Sequence, residues 1–179
     1  RGLDPNSQKS TALKEISDEL SKLGQMEESA LVMQESLTMA RSISDERKKS
    51  SVLTQISAEL SKLGQVEESL TIARDISDER KKSSVLTQIS VELSKLGQVE
   101  ESALVMQEAL TISRGIRAGT DKSSALKEIS DELSKLGQME ESALVLQESL
   151  SIARGLGPNR QKSKALKEIS LKLSKLGQV

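Results

Sequence analysis

The chain has 179 residues, of which 30% are charged with a formal net charge of -1, and it contains no Cys, His, Phe, Tyr or Trp. Disulfides, thiolate chemistry and the usual zinc and haem ligands are thereby excluded, and the balanced charge argues against non-specific binding to nucleic acid or an anionic membrane. A core without aromatic residues must be built from Leu, Ile, Val, Met and Ala, which favours helices over sheets.

No apolar run approaches the roughly 20 residues that a membrane span requires. The opening Arg1-Gly2-Leu3-Asp4-Pro5 has no signal-peptide pattern, so a cytoplasmic location is the expectation. Because Arg1-Gly2-Leu3 echoes Arg154-Gly155-Leu156, the chain reads as a piece of a longer array, and targeting segments fall outside this reading.

The first predicted helix is opened by Asp4-Pro5-Asn6 and closed by Gly24 as a left-handed cap, over about Pro5 to Leu23. Its Leu13, Ile16, Leu20 and Leu23 follow 3-4-3 spacing, which predicts one buried stripe. A second helix, about Met26 to Ile43, places Met26, Ala30, Met33, Leu37 and Ala40 in the same way. So short a connection makes the two antiparallel.

The phrase that closes the first helix, Leu-Ser-Lys-Leu-Gly-Gln, begins at Leu20, Leu60, Leu93, Leu133 and Leu173, which lie 40, 33, 40 and 40 residues apart. That is the period of an array whose unit is a pair of helices. The units run over about 5–43, 44–76, 77–116 and 120–156, with a half unit at 158–179, giving nine helices in all.

Ser44-Asp45-Glu46 and Ser77-Asp78-Glu79 should open the first helices of the second and third units, Thr120-Asp121 that of the fourth, and Gly157-Pro158-Asn159 the last helix. In the 33-residue unit Glu67-Glu68-Ser69-Leu70 runs together where other units insert a phrase such as Ala30 to Ser36. Seven residues are almost two turns. The deletion should shorten the helix by roughly 10 Å, leave a notch on that side, and turn its buried face by only about 20°.

The phrase Ala12-Leu13-(x2)-Ile16-Ser17-(x2)-Leu20-(x2)-Leu23-Gly24-Gln25-(x)-Glu27-Glu28-Ser29 resembles a tetratricopeptide repeat (TPR), and the likeness covers nearly every residue of the chain. The 40-residue period, the B-helix ending Leu37-Thr38-Met39-Ala40-Arg41 and the Ser-Asp-Glu-Arg turn are most similar to the long-helix repeats of kinesin light chains. The resemblance implies an all-α, right-handed solenoid of antiparallel A and B helices. It also implies small residues where helices cross, here Ser17, Ser29 and Ser36, with Ser57, Ser90, Ser130 and Ser170 repeating the first of these. On this reading size is what such positions require. The chain departs from the family in having Leu and Met for its aromatic residues and no proline closing the B helix.

The resemblance further implies a groove, lined by A helices, that binds extended or helical peptides. In the first unit that face carries Thr11, Glu15, Asp18 and Lys22. There, and at Lys127, Asp131 and Lys135, alternating charges at i, i+4 spacing read as a self-paired, solvated face. The second and third units carry Ser51, Thr54, Gln55, Ala58 and Lys62, then Ser84, Thr87, Gln88, Val91 and Lys95. The aspartate is gone, which leaves Lys62 and Lys95 without their i-4 partner beside amides able to bond a peptide backbone. A carboxylate-bearing peptide is the expected ligand.

No cofactor or metal is expected, and no catalysis. Gly115 to Ser123 lacks the strand and the Lys-Ser of a phosphate loop, and Glu27-Glu28 is explained by the helix dipole. The ladder of Lys22, Lys62, Lys95, Lys135 and Lys175 lacks the stacking aromatics of a nucleic-acid track. The function expected is a protein-protein interaction scaffold. The alternative is a structural spacer, natural or designed, whose last helix offers Ile169 and Leu173 for head-to-tail self-association.

Overall fold

The computed structural model describes residues 5–157 and 160–175. Among the described residues there are nine helices and no strand: α1 (Pro5–Lys22), α2 (Met26–Arg41), α3 (Glu46–Lys62), α4 (Val66–Asp75), α5 (Glu79–Lys95), α6 (Val99–Gly115), α7 (Gly119–Lys135), α8 (Met139–Gly155) and α9 (Arg160–Lys175). They fall into two compact units, Arg1–Lys81 and Lys82–Val179, with the boundary inside the first turns of α5. The expected caps at Asp4 and at Pro158-Asn159, the Gly177 turn and the side chains of Leu173 and Lys175 lie outside the described residues.

Local chemistry sets the helix ends. The Asp45 carboxylate accepts from the backbone N–H of Arg47 at 3.0 Å and of Lys48 at 3.1 Å, so it caps α3. The bond from Lys48 is the main reason this carboxyl is held below its usual range. Asp78 likewise accepts from the N–H of Lys81 at 3.0 Å. In the fourth unit the helix starts one residue earlier than expected, at Gly119, and Ala118 occupies the cap position without a side-chain bond. Thr120 and Asp121 therefore lie inside the first turn, where the dipole still favours the acid.

The A helices of the first four repeats end on a left-handed glycine, Gly24, Gly64, Gly97 or Gly137, with φ between 78° and 80°. In α3 the N–H of Gly64 donates to the Ser61 carbonyl at 3.1 Å and that of Gln65 to Leu60 at 2.9 Å. This pattern satisfies two carbonyls that would otherwise be orphaned. A Cβ at Gly64 would meet nothing within 4 Å, so only the backbone resists a side chain there. Gly64→Ala is expected to cost about 1 kcal/mol, read as an earlier urea midpoint with unchanged helical circular dichroism.

Serines lock each A helix to its B helix. The Ser17 hydroxyl donates to the Ser29 carbonyl at 2.8 Å and the Ser29 hydroxyl donates back to the Ser17 carbonyl at 2.8 Å. One heptad away, Ser10 and Ser36 exchange the same bonds at 2.7 and 2.8 Å. The register rises on one helix as it falls on the other, so α1 and α2 are antiparallel. Reciprocal bonds recur at Ser57 with Ser69, Ser90 with Ser102, Ser130 with Ser142, and Ser123 with Ser149. In α6 Ala109 stands where Ser36 does; the Ser83 hydroxyl still reaches the Ala109 carbonyl at 3.2 Å and meets the Ser113 hydroxyl, one turn further on, at 2.5 Å. Size alone was the expectation at these positions. The structure adds a hydroxyl on each side that finds a second lone pair on a helical carbonyl.

The seven-residue deletion behaves as its length requires. Helix α4 has 10 residues against 17 in α6 and α8. In the first unit Gln34 donates to Glu68 at 2.8 Å and Arg41 to Asp75 at 3.2 Å, so neighbouring B helices run parallel. In the second unit Gln107 and Arg114 make the equivalent bonds to Glu141 and Glu148. Asp75 lies past the deletion yet occupies the place of Glu148, because seven residues restore the helix face. The missing second serine of α4 is replaced by Ser77 from the following turn, 3.0 Å from Ser50.

The core follows the stripe in the three A helices after α1. Leu53, Ile56 and Leu60 are buried in α3, Leu86, Ile89 and Leu93 in α5, and Leu126, Ile129 and Leu133 in α7. In α1 the expected stripe fails at Ile16, which is 51% exposed, because the described residues give α1 no preceding B helix. The expectation also fails at Leu23, where the stripe has run into the cap turn; Leu63 and Leu96 are exposed in the same place. Met26 is exposed as well, in the first turn of its helix.

Candidate functional site

On α3, Gln55 and Lys62 are exposed, while Ser51, Thr54 and Ala58 are half-buried beside them. The Thr54 hydroxyl is turned onto its own helix, donating to the Ser50 carbonyl at 2.6 Å. On α5, Gln88 and Lys95 are exposed, and Ser84 and Val91 are half-buried. Thr87 is buried and donates to the Ser83 carbonyl at 2.9 Å, so it cannot reach a ligand. The Ser84 hydroxyl donates to Glu128 of α7. Each face therefore offers one exposed amide and one exposed ammonium group over a small neutral floor.

The lysines are not without partners, contrary to the expectation from i-4 spacing. Lys62 Nζ lies 3.3 Å from Glu59, and Lys95 Nζ lies 2.8 Å from Glu92. Lys22 and Lys135 make the same i-3 bond, to Glu19 and Glu132, each at 2.6 Å. The bond to Glu19 is also the main cause of the upward shift of the Lys22 ammonium. The Glu that recurs three places before the lysine in the first four repeats signalled this pairing, since i, i+3 neighbours share a helix face as i, i+4 neighbours do. Lys62 and Lys95 are both 63% exposed, so these pairs are weak and readily exchanged.

Where the aspartate is retained, the face is tied up more thoroughly. Lys14 holds Asp18 at 2.5 Å. On α7, Asp131 pairs with Lys127 at 3.7 Å and with Lys172 of α9, and Lys127 reaches Glu168 at 3.3 Å. Partial burial, and secondarily the charge of Lys127, push the Lys172 ammonium down from its ordinary value. The i, i+4 charges thus serve two helices at once. Ala58 and Val91 remove the acid that anchors such a cluster.

Sequence reasoning missed the apolar residues of the B-helix side. Leu31, Leu104 and Leu144 are exposed at one position of α2, α6 and α8. Leu104 lines an open depression of about 630 Å³ with Gly97, Gln98, Val99, Glu100 and Glu101. Among the described residues no His, Cys, Asp and Glu cluster could hold a metal ion, and no helix is long and apolar enough to cross a membrane.

No family model and no curated protein matches the sequence. Solved structures do. Ton1535 from Thermococcus onnurineus NA1 superposes with a TM-score of 0.65 at 18% identity, over 93% of this chain and 47% of its own. This chain thus spans about half the length of Ton1535. The nearly identical TPR-like repeats assigned to the kinesin light chains in Podosopora anserina match with a TM-score of 0.51 at 15% identity, over 98% of this chain and 90% of theirs. The fold is TPR-like. The likeness covers almost the whole chain, as the repeat phrase led one to expect, at low sequence identity.

Proposed function

We propose that this TPR-like array is a non-catalytic protein-interaction scaffold, and that the exposed faces of its central A helices bind a peptide bearing a carboxylate. The observation that carries the reading is the replacement of the aspartate by Ala58 on α3 and Val91 on α5. Each leaves an exposed amide and a weakly paired lysine on a face without the i-4 aspartate, with Glu128 of α7 held at the edge of the α5 face by Ser84. A peptide carboxylate can displace Glu59 or Glu92 from the ammonium at little cost, since exposed ion pairs contribute about 0–1 kcal/mol. The side-chain amide then donates to and accepts from the peptide backbone. Around α7 a ligand would have to break the cluster of Asp131, Lys127, Lys172 and Glu168 first.

Selection of a random peptide library displayed on phage, with the intact chain as bait, tests this. The selected peptides should be enriched in carboxylates and should lose about tenfold in affinity on Lys62→Glu or on Lys95→Glu, each tested alone. Peptides indifferent to both changes, or no enrichment at all, would favour a spacer whose repeats set length.

A further inference from the structure

The second unit holds a carboxylate beside the α5 face that no cation neutralises. In the second half of α7, Asp131 pairs with Lys127 and Lys172, and Glu132 with Lys135. Glu128 has no ammonium or guanidinium partner among the described residues. Its Oε1 accepts from the Ser84 hydroxyl of α5 at 2.5 Å, a neutral donor, and its Oε2 is not buried. The positions one turn ahead on α7, where an ion pair along the helix would form, hold Asp131 and Glu132, and those one turn behind hold Ser124 and Ala125. The charge is therefore fixed at the edge of the face with one oxygen open.

Ser84, Gln88, Val91 and Lys95 form a single stripe of α5. Ser84 and Lys95 are separated by three helical turns and about 20°, so they point the same way, roughly 16 Å apart along the axis. Glu128 marks one end of the stripe with a negative charge. Lys95, 63% exposed, marks the other with a positive one. The exposed Gln88 and half-buried Val91 lie between them. An extended peptide rises about 3.3 Å per residue, so it covers this distance in about five residues.

We propose that the α5 face selects peptides with two opposite charges: a carboxylate that meets Lys95 and, about five residues away, a lysine or arginine that meets Glu128. The proposal rests on the carboxylate-binding reading of this face and adds the second charge and its spacing. The ligand's cation donates to Oε2 and leaves Ser84 on Oε1. A peptide acidic along its whole length is disfavoured, because it brings like charges together at Glu128.

The test selects a random twelve-residue library displayed on phage against the intact chain and its Glu128→Gln and Glu128→Lys variants. Glutamine keeps an acceptor for Ser84 and removes only the charge, and all three forms should share one circular dichroism spectrum and urea midpoint. Peptides from the unaltered chain that weaken on Lys95→Glu should carry Lys or Arg at a fixed distance of about five residues from an acid. By fluorescence anisotropy they should weaken about threefold on Glu128→Gln and about tenfold on Glu128→Lys. The Glu128→Lys chain should itself select an acid in place of that cation, and changing the peptide's Lys to Glu should restore affinity for this variant.

A cation at no fixed distance from the acid would overturn the proposal. So would an equal loss on Glu128→Lys for every peptide whatever its charge, which is the mark of a structural role. Peptides that respond to Lys62→Glu or Lys95→Glu but not to Glu128→Lys would overturn it and leave the carboxylate-binding reading standing. Indifference to both lysine changes would overturn the two together.

Discussion

Ser130→Leu is expected to destabilise the second unit by about 3 kcal/mol, whereas Ser130→Ala combined with Ser142→Ala should cost under about 1 kcal/mol. The contrast separates two jobs done by one residue. Ser130 is fully buried, with its oxygen 2.9 Å from the Ser142 carbonyl and 3.0 Å from the Ser142 hydroxyl. Two added heavy atoms have nowhere to go unless α7 and α8 separate, which strips contacts from Leu133 and Leu146 as well. Removing both hydroxyls loses two bonds but leaves each carbonyl its helical N–H partner, so no buried acceptor is orphaned. Ser130→Ala alone should cost no more than the double variant, because one bond is lost and Ser142 keeps its own bond to the Ser130 carbonyl at 2.7 Å. Urea denaturation of the three variants and the unaltered chain, followed by circular dichroism, measures all of this. A double alanine variant as damaged as the leucine one would show that the hydroxyls, not the spacing, hold the hairpin.

This division explains what the sequence revealed and what it did not. A serine at the same helix crossing of every repeat announces close approach, because small size is legible from one helix. The hydroxyl exchange is a property of two helices in register, and it became visible only when Ser17 met Ser29 and Ser10 met Ser36. The same holds for charge. Spacing within a helix correctly paired Lys14 with Asp18 and Lys127 with Asp131. It left Lys62 and Lys95 without a partner, whereas Glu59 and Glu92 pair with them at i-3. It could not foresee that Lys172 would cross to Asp131 from another helix. At the candidate face, Gln55, Lys62, Gln88 and Lys95 emerged exposed as the helical rotation required, but Thr87 is buried. A 100° wheel fixes direction around one axis and says nothing of how near the next helix lies.

The sharpest instance is a pair of isoleucines in identical surroundings of sequence. Residues 12–32 repeat letter for letter as 125–145, so Ile16 and Ile129 share every neighbour for several turns. Yet Ile129 is 0% exposed and Ile16 51%. The difference is tertiary: α6 packs on α7, while the described residues place no B helix before α1. Ile129→Ala should therefore cost about 4 kcal/mol through lost burial and an unfilled cavity. Ile16→Ala should cost under about 1 kcal/mol, since part of the side chain is already in water and Ala is the better helix former. Repeat arrays lose cooperativity along their length, so a single global midpoint would blur the comparison. Native-state amide hydrogen exchange resolves it. Ile129→Ala should lower protection sharply in α7 and α8, and Ile16→Ala should leave α1 and α2 nearly as they were. Equal losses at the two sites would mean that α1 is covered in solution by something other than the described residues.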